Sequence, residues 1–335
     1  MMGLAAALGA AWWMIFGLKP YTLEPAALQA RYAVSAPHDV VSAASAPAGA
    51  QAASRLQLTP ATVPWPGAVA FDLTLQSFDG AKAVGRIVFP EDPAQRASGS
   101  RWPVLIAMHG LGRTHLRWWH DEFRGRPTIE NTHRITPLAL QQGFVVVALD
   151  ARGHGVRRGN GPVPSELLEN LHLWGAREPY ERMIIDTVRD YRVLLDELAR
   201  RPDLDATSAA AVGYSMGGQM ALLLAGVDSR VQAVAAMVPP HLDQRVAAVA
   251  PINVAGQLGG RRVWLVTADD DEYASAKHNA ALFATLPAEP QNRHLRHPGG
   301  HLLPAGYVDD LVPWLQAVLS GRTEGPGPLR SSATP

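Results

Sequence analysis

The sequence predicts an α/β fold with a mostly parallel central sheet and helices on both faces, and two patterns lead to this prediction. Uninterrupted apolar runs recur along the chain, which is typical of strands that are covered on both faces. Stretches with helical spacing of apolar residues fall between these runs, and strands that alternate with helices form parallel sheets with right-handed crossovers. The apolar runs are 103–108, 144–149, 209–212, 231–238 and 263–266, with a weaker strand at 293–296. The helical stretches are 180–200, 216–225 and 307–319.

Ahead of these runs the sequence predicts an antiparallel hairpin. Residues 68–78 alternate in part between apolar and polar side chains, and residues 82–89 continue as a second strand. Asp79-Gly80 stands between them, and Asp-Gly is a turn signal because glycine adopts a positive φ without strain. We therefore expect two antiparallel strands before the parallel ones.

Composition excludes several classes of function. The chain has 335 residues, with 30 Lys and Arg against 30 Asp and Glu, so its formal net charge is zero. No excess of positive charge would attract nucleic acid, and we predict no nucleic-acid partner. The absence of cysteine excludes disulfides, thiolate metal ligands and thiol nucleophiles. His115, His120 and His133 follow no ligand-spaced motif, so we predict no metal site and no cofactor.

Four segments are expected along the chain, with boundaries at 1–18, 19–66, 67–320 and 321–335. The second is rich in Ala, Ser and Pro without apolar periodicity, so we interpret it as a linker. The third carries the strand and helix patterns and forms the α/β domain. The fourth is expected to be a flexible tail.

The first segment contains no charged residue and stops at Lys19. Its length approaches the lower limit for a membrane-spanning helix, so we favour an uncleaved hydrophobic anchor. A signal segment and a mis-assigned start are the alternatives. An anchor or a signal predicts a membrane-anchored or exported protein, with membrane association through residues 1–18. The cytoplasmic face is an alternative location. Lys19 and Arg31 follow the apolar segment, and positively charged residues next to such a segment favour the cytoplasmic side.

The most informative motif is Gly213-Tyr214-Ser215-Met216-Gly217, where a small apolar strand meets a helical stretch. A Gly-x-Ser-x-Gly sequence in this context is typical of a nucleophile elbow, in which the serine stands at the apex of a strained turn. Such a turn exposes the Ser215 hydroxyl and aims the Met216 amide at the same point. Ser215 is therefore a candidate nucleophile, Met216 a candidate oxyanion donor and Tyr214 a candidate substrate contact. A plain glycine turn with a solvated serine is the alternative.

His109-Gly110-Leu111-Gly112 follows the strand 103–108 directly. A tetrahedral intermediate needs two N–H donors, and the amide of Leu111 is the best candidate for the second. With these motifs in this order, the chain resembles the α/β-hydrolase fold superfamily, in the branch of the dienelactone-hydrolase-like and acetyl-esterase-like enzymes. The resemblance covers roughly residues 69–319. It implies an α/β-hydrolase fold.

The resemblance also implies an acid after the strand 263–266. In similar proteins this acid is the last residue of a Gly-x-x-Asp pattern. Ala268 stands here in place of the glycine, which makes Asp271 the best match. Asp269 is the alternative acid because consecutive aspartates follow the strand.

The base is expected in a loop after the last strand. His301 is preceded by glycines, as the resemblance favours, whereas His297 is assigned to the end of the strand. The chain order of Ser215, Asp271 and His301 is the order of the triad in this fold. His154, in a turn that resembles a structural motif of the superfamily, is expected to be a packing residue.

Two stretches bear on the substrate. Few residues separate the strand that ends at Val238 from the strand near Arg262, so no large lid domain is expected there. The insertion 157–177 is rich in Gly and Pro and is expected to be a loop.

Trp118 is a candidate wall of the substrate pocket, with Arg113 as an anion contact. Packing of the tryptophan in the core is the alternative, and the more common situation.

The resemblance implies a serine hydrolase that cleaves small-molecule carboxylic esters through an acyl-enzyme intermediate. A peptidase of the prolyl-oligopeptidase type uses the same triad and fold. A catalytically silent hydrolase-fold binding module is the alternative from another class.

Overall fold

A nine-stranded sheet organises the structure, a computed structural model that describes residues 2–19, 21–34, 54–97, 99–243, 246 and 248–323. The strands are β1 (Leu56–Ala61), β2 (Val69–Gln76), β3 (Lys82–Phe89), β4 (Trp102–Met108), β5 (Val145–Leu149), β6 (Leu204–Tyr214), β7 (Val231–Met237), β8 (Arg262–Ala268) and β9 (Arg293–His297). Across the sheet they lie in the order β1-β2-β3-β5-β4-β6-β7-β8-β9. The pairings from β1 to β5 are antiparallel, and those from β5 to β9 are parallel. The predicted mostly parallel sheet is confirmed.

Helices cover both faces of the sheet. They are α1 (Met2–Phe16), α2 (Pro25–Arg31), α3 (Ile135–Gln141), α4 (Pro164–Trp174), α5 (Arg177–Ala199), α6 (Met216–Val227), α7 (Ile252–Ala255), α8 (Ala276–Thr285), α9 (Tyr307–Asp310) and α10 (Val312–Thr323). Alternate side chains of β4 point to opposite faces, so Ile106 belongs to one buried cluster and Leu105 to the other. Residues of α5 and α6 fill the first cluster, and residues of α3 and α10 fill the second.

The predicted hairpin is present as β2 and β3, with Gly80 at a φ of 80° in the turn. The strand predicted at 209–212 starts earlier, at Leu204, because Leu204 and Ala206 alternate inward ahead of the apolar run. The helix predicted at 307–319 is interrupted at Leu311.

The linker prediction for residues 19–66 is wrong at both of its ends. Helix α2 buries Leu28, which is 1% exposed, and the chain after it buries Tyr32 completely. Strand β1 extends the sheet by pairing with β2. The composition hid these elements because a few well-placed apolar side chains suffice to dock a short segment on an existing core. The part of the linker at 35–53 and the tail beyond Thr323 lie outside the described residues.

Because α2 is part of the packed body, Leu28→Ala is expected to lower the free energy of unfolding by about 2–5 kcal/mol, the range for deleting a buried leucine. Urea denaturation of the full chain measures this change. The matched control is Leu4→Ala on α1, where the side chain is 70% exposed. It should change stability by less than about 0.5 kcal/mol. Equal effects of the two substitutions would contradict the docked position of α2.

The first segment of the chain contains α1, which meets the body at its C-terminal end. The ring of Phe16 stands edge-on to the ring of Trp174 in α4, with centroids 5.1 Å apart. Within the residues that the structure describes, no helix combines the length and apolarity needed to cross a membrane.

The insertion 157–177 is not the loop that its Gly and Pro content predicts, because it contains α4. Pro164 occupies the first turn of this helix, and the side chain of Glu166 accepts a hydrogen bond of 3.0 Å from the Val163 amide. Gly175, at a φ of 64°, ends the helix in the left-handed conformation. Here Pro and Gly mark the two ends of a helix, and composition alone did not distinguish this arrangement from a loop.

Candidate active site

Ser215 stands at a sharp turn between β6 and α6. Its backbone has a φ of 57° and a ψ of −120°, a strained conformation for a residue with a side chain. The turn requires glycine on both sides: a Cβ on Gly213 would overlap the carbonyl of Gly217, and one on Gly217 would overlap the carbonyl of Met108. The structure therefore has the elbow geometry that the motif predicts.

Three side chains form a continuous hydrogen-bonded line at this turn. The Oγ atom of Ser215 lies 2.8 Å from Nε2 of His301. On the other side of the imidazole, Nδ1 lies 3.0 and 3.1 Å from the two carboxylate oxygens of Asp271. A carboxylate only accepts hydrogen bonds, so Nδ1 carries the proton and Nε2 is left as an acceptor for the serine hydroxyl. The loops after β6, β8 and β9 thus bring the three predicted residues together.

The run of acidic residues after β8 is divided among separate contacts. The Asp271 side chain is fully buried against the imidazole and also accepts a hydrogen bond of 2.8 Å from the Tyr273 amide. Asp269 instead pairs with Arg296 at the surface, with a side chain that is 42% exposed. Glu272 accepts a hydrogen bond of 3.0 Å from the backbone amide of His301. Of the two predicted acids, only Asp271 contacts the imidazole among the described residues.

Leu111 and Met216 line the same cavity as Ser215. The loop that carries Leu111 is held by His109, whose Nδ1 donates to the carbonyl of Gly110 over 2.8 Å. The other ring nitrogen, Nε2, accepts a hydrogen bond of 3.0 Å from the Ala151 amide. In a trans peptide the carbonyl and the next N–H point in opposite directions, so the Leu111 amide points away from His109. No sequence pattern predicts this role of His109 directly, although its place beside Gly110 in the motif is a usable signal.

His109 is buried and neutral. Burial, the main cause, and the nearby His154 lower its pKa from an ordinary value of 6.5 to about 3. The two rings are 5.1 Å apart between centroids. The neutral form is the one that this site needs, because a protonated Nε2 could no longer accept from Ala151.

This burial predicts a pH dependence of stability. The unfolded chain takes up a proton at His109 below pH 6.5, while the folded chain excludes it down to about pH 3. The free energy of unfolding is therefore expected to fall as the pH is lowered through this window. In His109→Gln the fall should be smaller, whereas His172→Gln, at an exposed position, should keep the wild-type slope. Urea unfolding across this pH range measures the effect, and a wild-type slope in His109→Gln would refute it.

A cavity of about 760 Å³ opens above Ser215, a volume typical of small-molecule sites. Helix α4 supplies one apolar wall with Leu168 and Leu173. Tyr214 also lines the cavity, and its hydroxyl donates to the carbonyl of His301 over 2.8 Å and accepts from the Leu303 amide over 3.0 Å. Burial raises the pKa of Tyr214, so the phenol stays protonated and can make both bonds. Tyr214 thus positions the loop of His301 as well as facing the cavity.

Trp118 does not take the predicted place in the substrate pocket. Its side chain is fully buried in the second core cluster, and it is not part of the cavity wall. Arg113 does line the cavity, as predicted, but it is paired with Glu130. Glu130 was not foreseen because it lies in a turn without any motif. Among the described residues, no group of three or more His, Cys, Asp or Glu side chains is arranged to hold a metal ion.

Known proteins resemble this chain in sequence and in structure. The YtaP protein of Bacillus subtilis strain 168, whose name calls it a hydrolase, is 26% identical over 222 residues, or 66% of this chain and 68% of YtaP. An acetyl xylan esterase from Paenibacillus sp. R4 superposes with a TM-score of 0.62 at 18% identity, covering 91% of this chain and 98% of that one. Acetyl xylan esterase 1 from Thermoanaerobacterium sp. JW/SL YS485 gives a TM-score of 0.58 at 14% identity, covering 89% and 99%. These two esterases share the fold of this chain. The model of the alpha/beta hydrolase family matches residues 104–331, and the chain therefore belongs to this family.

Proposed function

We propose that this protein is a serine hydrolase that cleaves carboxylic esters through an acyl-enzyme intermediate. The observation that carries the proposal is the hydrogen-bonded line from Ser215 through His301 to Asp271, built on a strained elbow at the floor of a cavity. Neither core packing nor solvation requires a serine in such a backbone conformation beside a buried imidazole–carboxylate pair. A serine activated as a nucleophile accounts for both the turn and the adjacent pair.

In the first half of the proposed reaction, Nε2 of His301 removes the hydroxyl proton as Oγ of Ser215 attacks the ester carbonyl. The carbonyl oxygen becomes an oxyanion, which the amides of Leu111 and Met216 stabilise. Asp271 stabilises the imidazolium that forms. Collapse of the intermediate breaks the bond to the leaving alcohol, which takes the proton from His301.

The second half repeats these steps with water. His301 removes a proton from the water molecule as it attacks the acyl carbonyl, and the proton then returns to the Ser215 oxygen. The products are the carboxylic acid and the free enzyme. No other group has to gain or lose a proton over the full cycle.

The choice of esters over other acyl compounds rests on two supports. The resemblance to acetyl-esterase-like enzymes points to esters, and the two structural neighbours described above are named as esterases. The volume of the cavity, about 760 Å³, is also typical of sites for small molecules.

A substrate panel tests the proposal against its alternatives. The full chain is expected to hydrolyse 4-nitrophenyl acetate and butyrate, to leave peptide 4-nitroanilides intact, and to be labelled by a fluorophosphonate probe. Preferential cleavage of the anilides would favour a peptidase. Absence of both turnover and labelling would favour a catalytically silent binding module.

A further inference from the structure

The cavity contains a polar pair that the proposed triad does not use. Nε of Arg113 donates a hydrogen bond to Oε1 of Glu130, and both side chains line the cavity. The pair lies close to the nucleophile. A Cβ placed on Gly110 would be 3.6 Å from Cβ of Ser215 and 3.9 Å from Cγ of Arg113, so Gly110 separates the two side chains. A group of the substrate next to the scissile bond is therefore within reach of Arg113.

Glu130 is held firmly and is incompletely satisfied. Its side chain is only 9% exposed, and its carbonyl oxygen accepts a hydrogen bond of 2.7 Å from the hydroxyl of Tyr307. The second carboxylate oxygen, Oε2, is buried without a hydrogen-bond partner among the described residues. A buried acceptor without a donor is costly. A donor that enters beside Arg113, and that reaches Oε2 after a small shift of the Glu130 side chain, would satisfy this oxygen.

The charges of the cavity narrow the chemistry of that donor. Glu169 and Glu272 also line the cavity, so an anionic group on the substrate would meet several carboxylates. An ammonium group beside Arg113 has no lone pair, so it could not accept a hydrogen bond from the guanidinium. A hydroxyl meets neither difficulty, because it is neutral and both donates and accepts hydrogen bonds. It can accept from the guanidinium, which is 34% exposed, and donate to Glu130.

We propose that Arg113 and Glu130 form a subsite for a hydroxyl group carried by the ester close to its scissile bond. This inference rests on the proposed ester hydrolysis and adds the substrate class, namely hydroxylated esters in preference to plain alkyl esters. An alkyl group at this position would exclude water from the pair and replace none of its hydrogen bonds. The hydroxyl can belong to the alcohol part or to the acyl part, since the cavity has room for both.

Two matched pairs of esters distinguish these sources. Glyceryl monoacetate against propyl acetate tests a hydroxyl on the alcohol, and methyl 3-hydroxybutyrate against methyl butyrate tests a hydroxyl on the acyl group. The wild-type enzyme is expected to favour the hydroxylated member of one pair by about tenfold in kcat/KM, the effect of one satisfied hydrogen bond in a partly open site. In Arg113→Met and in Glu130→Gln this ratio should fall to about one to two.

The surface pair Arg96 and Glu91, whose Nη1 and Oε1 atoms are 3.1 Å apart, provides the control. Arg96→Met and Glu91→Gln should keep the wild-type ratio. If Arg113→Met does not fold, as judged by its melting temperature, Glu130→Gln still decides the result. A ratio near one in the wild type, or an unchanged ratio in a folded cavity variant, would overturn the subsite while leaving ester hydrolysis in place. Absence of turnover of all four esters by the wild type would instead overturn ester hydrolysis and the subsite with it.

Discussion

Ser215→Ala is expected to lower kcat for 4-nitrophenyl acetate by about 10⁵- to 10⁶-fold and to abolish labelling by a fluorophosphonate. The substitution removes the attacking oxygen and leaves the cavity walls in place, so KM should change much less than kcat. The measurement is steady-state hydrolysis at several ester concentrations, with residual rates compared against buffer alone.

The matched control is Ser208→Ala, on the same strand but outside the turn. It should retain wild-type kinetics because its hydroxyl lies away from the imidazole. If Ser215→Ala kept more than about one hundredth of the wild-type kcat, the nucleophile would have to be another group. An enzyme that has lost its triad nucleophile does not keep so high a kcat.

Asp271→Asn is expected to lower kcat by about 10⁴-fold, as for other triads in which the acid becomes an amide. An asparagine can donate to Nδ1 of His301, which would move the imidazole proton to Nε2 and leave no acceptor for the Ser215 hydroxyl. Asp269→Asn should lower kcat less than about threefold, because it removes only an exposed ion pair with Arg296. Parallel kinetics of the two variants, with melting temperatures to establish folding, measure the difference.

A larger loss in Asp269→Asn than in Asp271→Asn would contradict the assignment of Asp271 as the acid of the triad. The two residues are separated by one position, so the comparison keeps chain location and residue type constant. Their contacts differ: Asp271 is buried against the imidazole, whereas Asp269 pairs with Arg296 at the surface.

Much of the fold was predictable from the chain alone. Apolar runs such as 144–149 can only be buried on both faces, which requires helices above and below a parallel sheet. The elbow at Ser215 was predictable because its glycines occupy positions where the backbone leaves no room for a Cβ. These predictions succeeded because each depended on neighbouring residues, whose spacing the sequence states directly.

Other features depended on residues that are distant in the sequence. Composition did not reveal that α2 docks on the body, because docking depends on the burial of Leu28 and Tyr32 in a core cluster that residues far along the chain build. Trp118 had the same sequence signal as a pocket residue or a core residue, and only its packing against the sheet distinguished them. Glu130 joined Arg113 in the cavity without any motif.

The sequence therefore established the α/β architecture and the positions of a serine and a histidine at the ends of strands. The tertiary structure alone identified which of two aspartates contacts that histidine, and which polar side chains share its cavity. The physical reason is the range of the interactions. Strand patterns and strained turns depend on local backbone sterics, whereas the 3.0 Å contact between His301 and Asp271 depends on how the loops after β8 and β9 meet across the sheet.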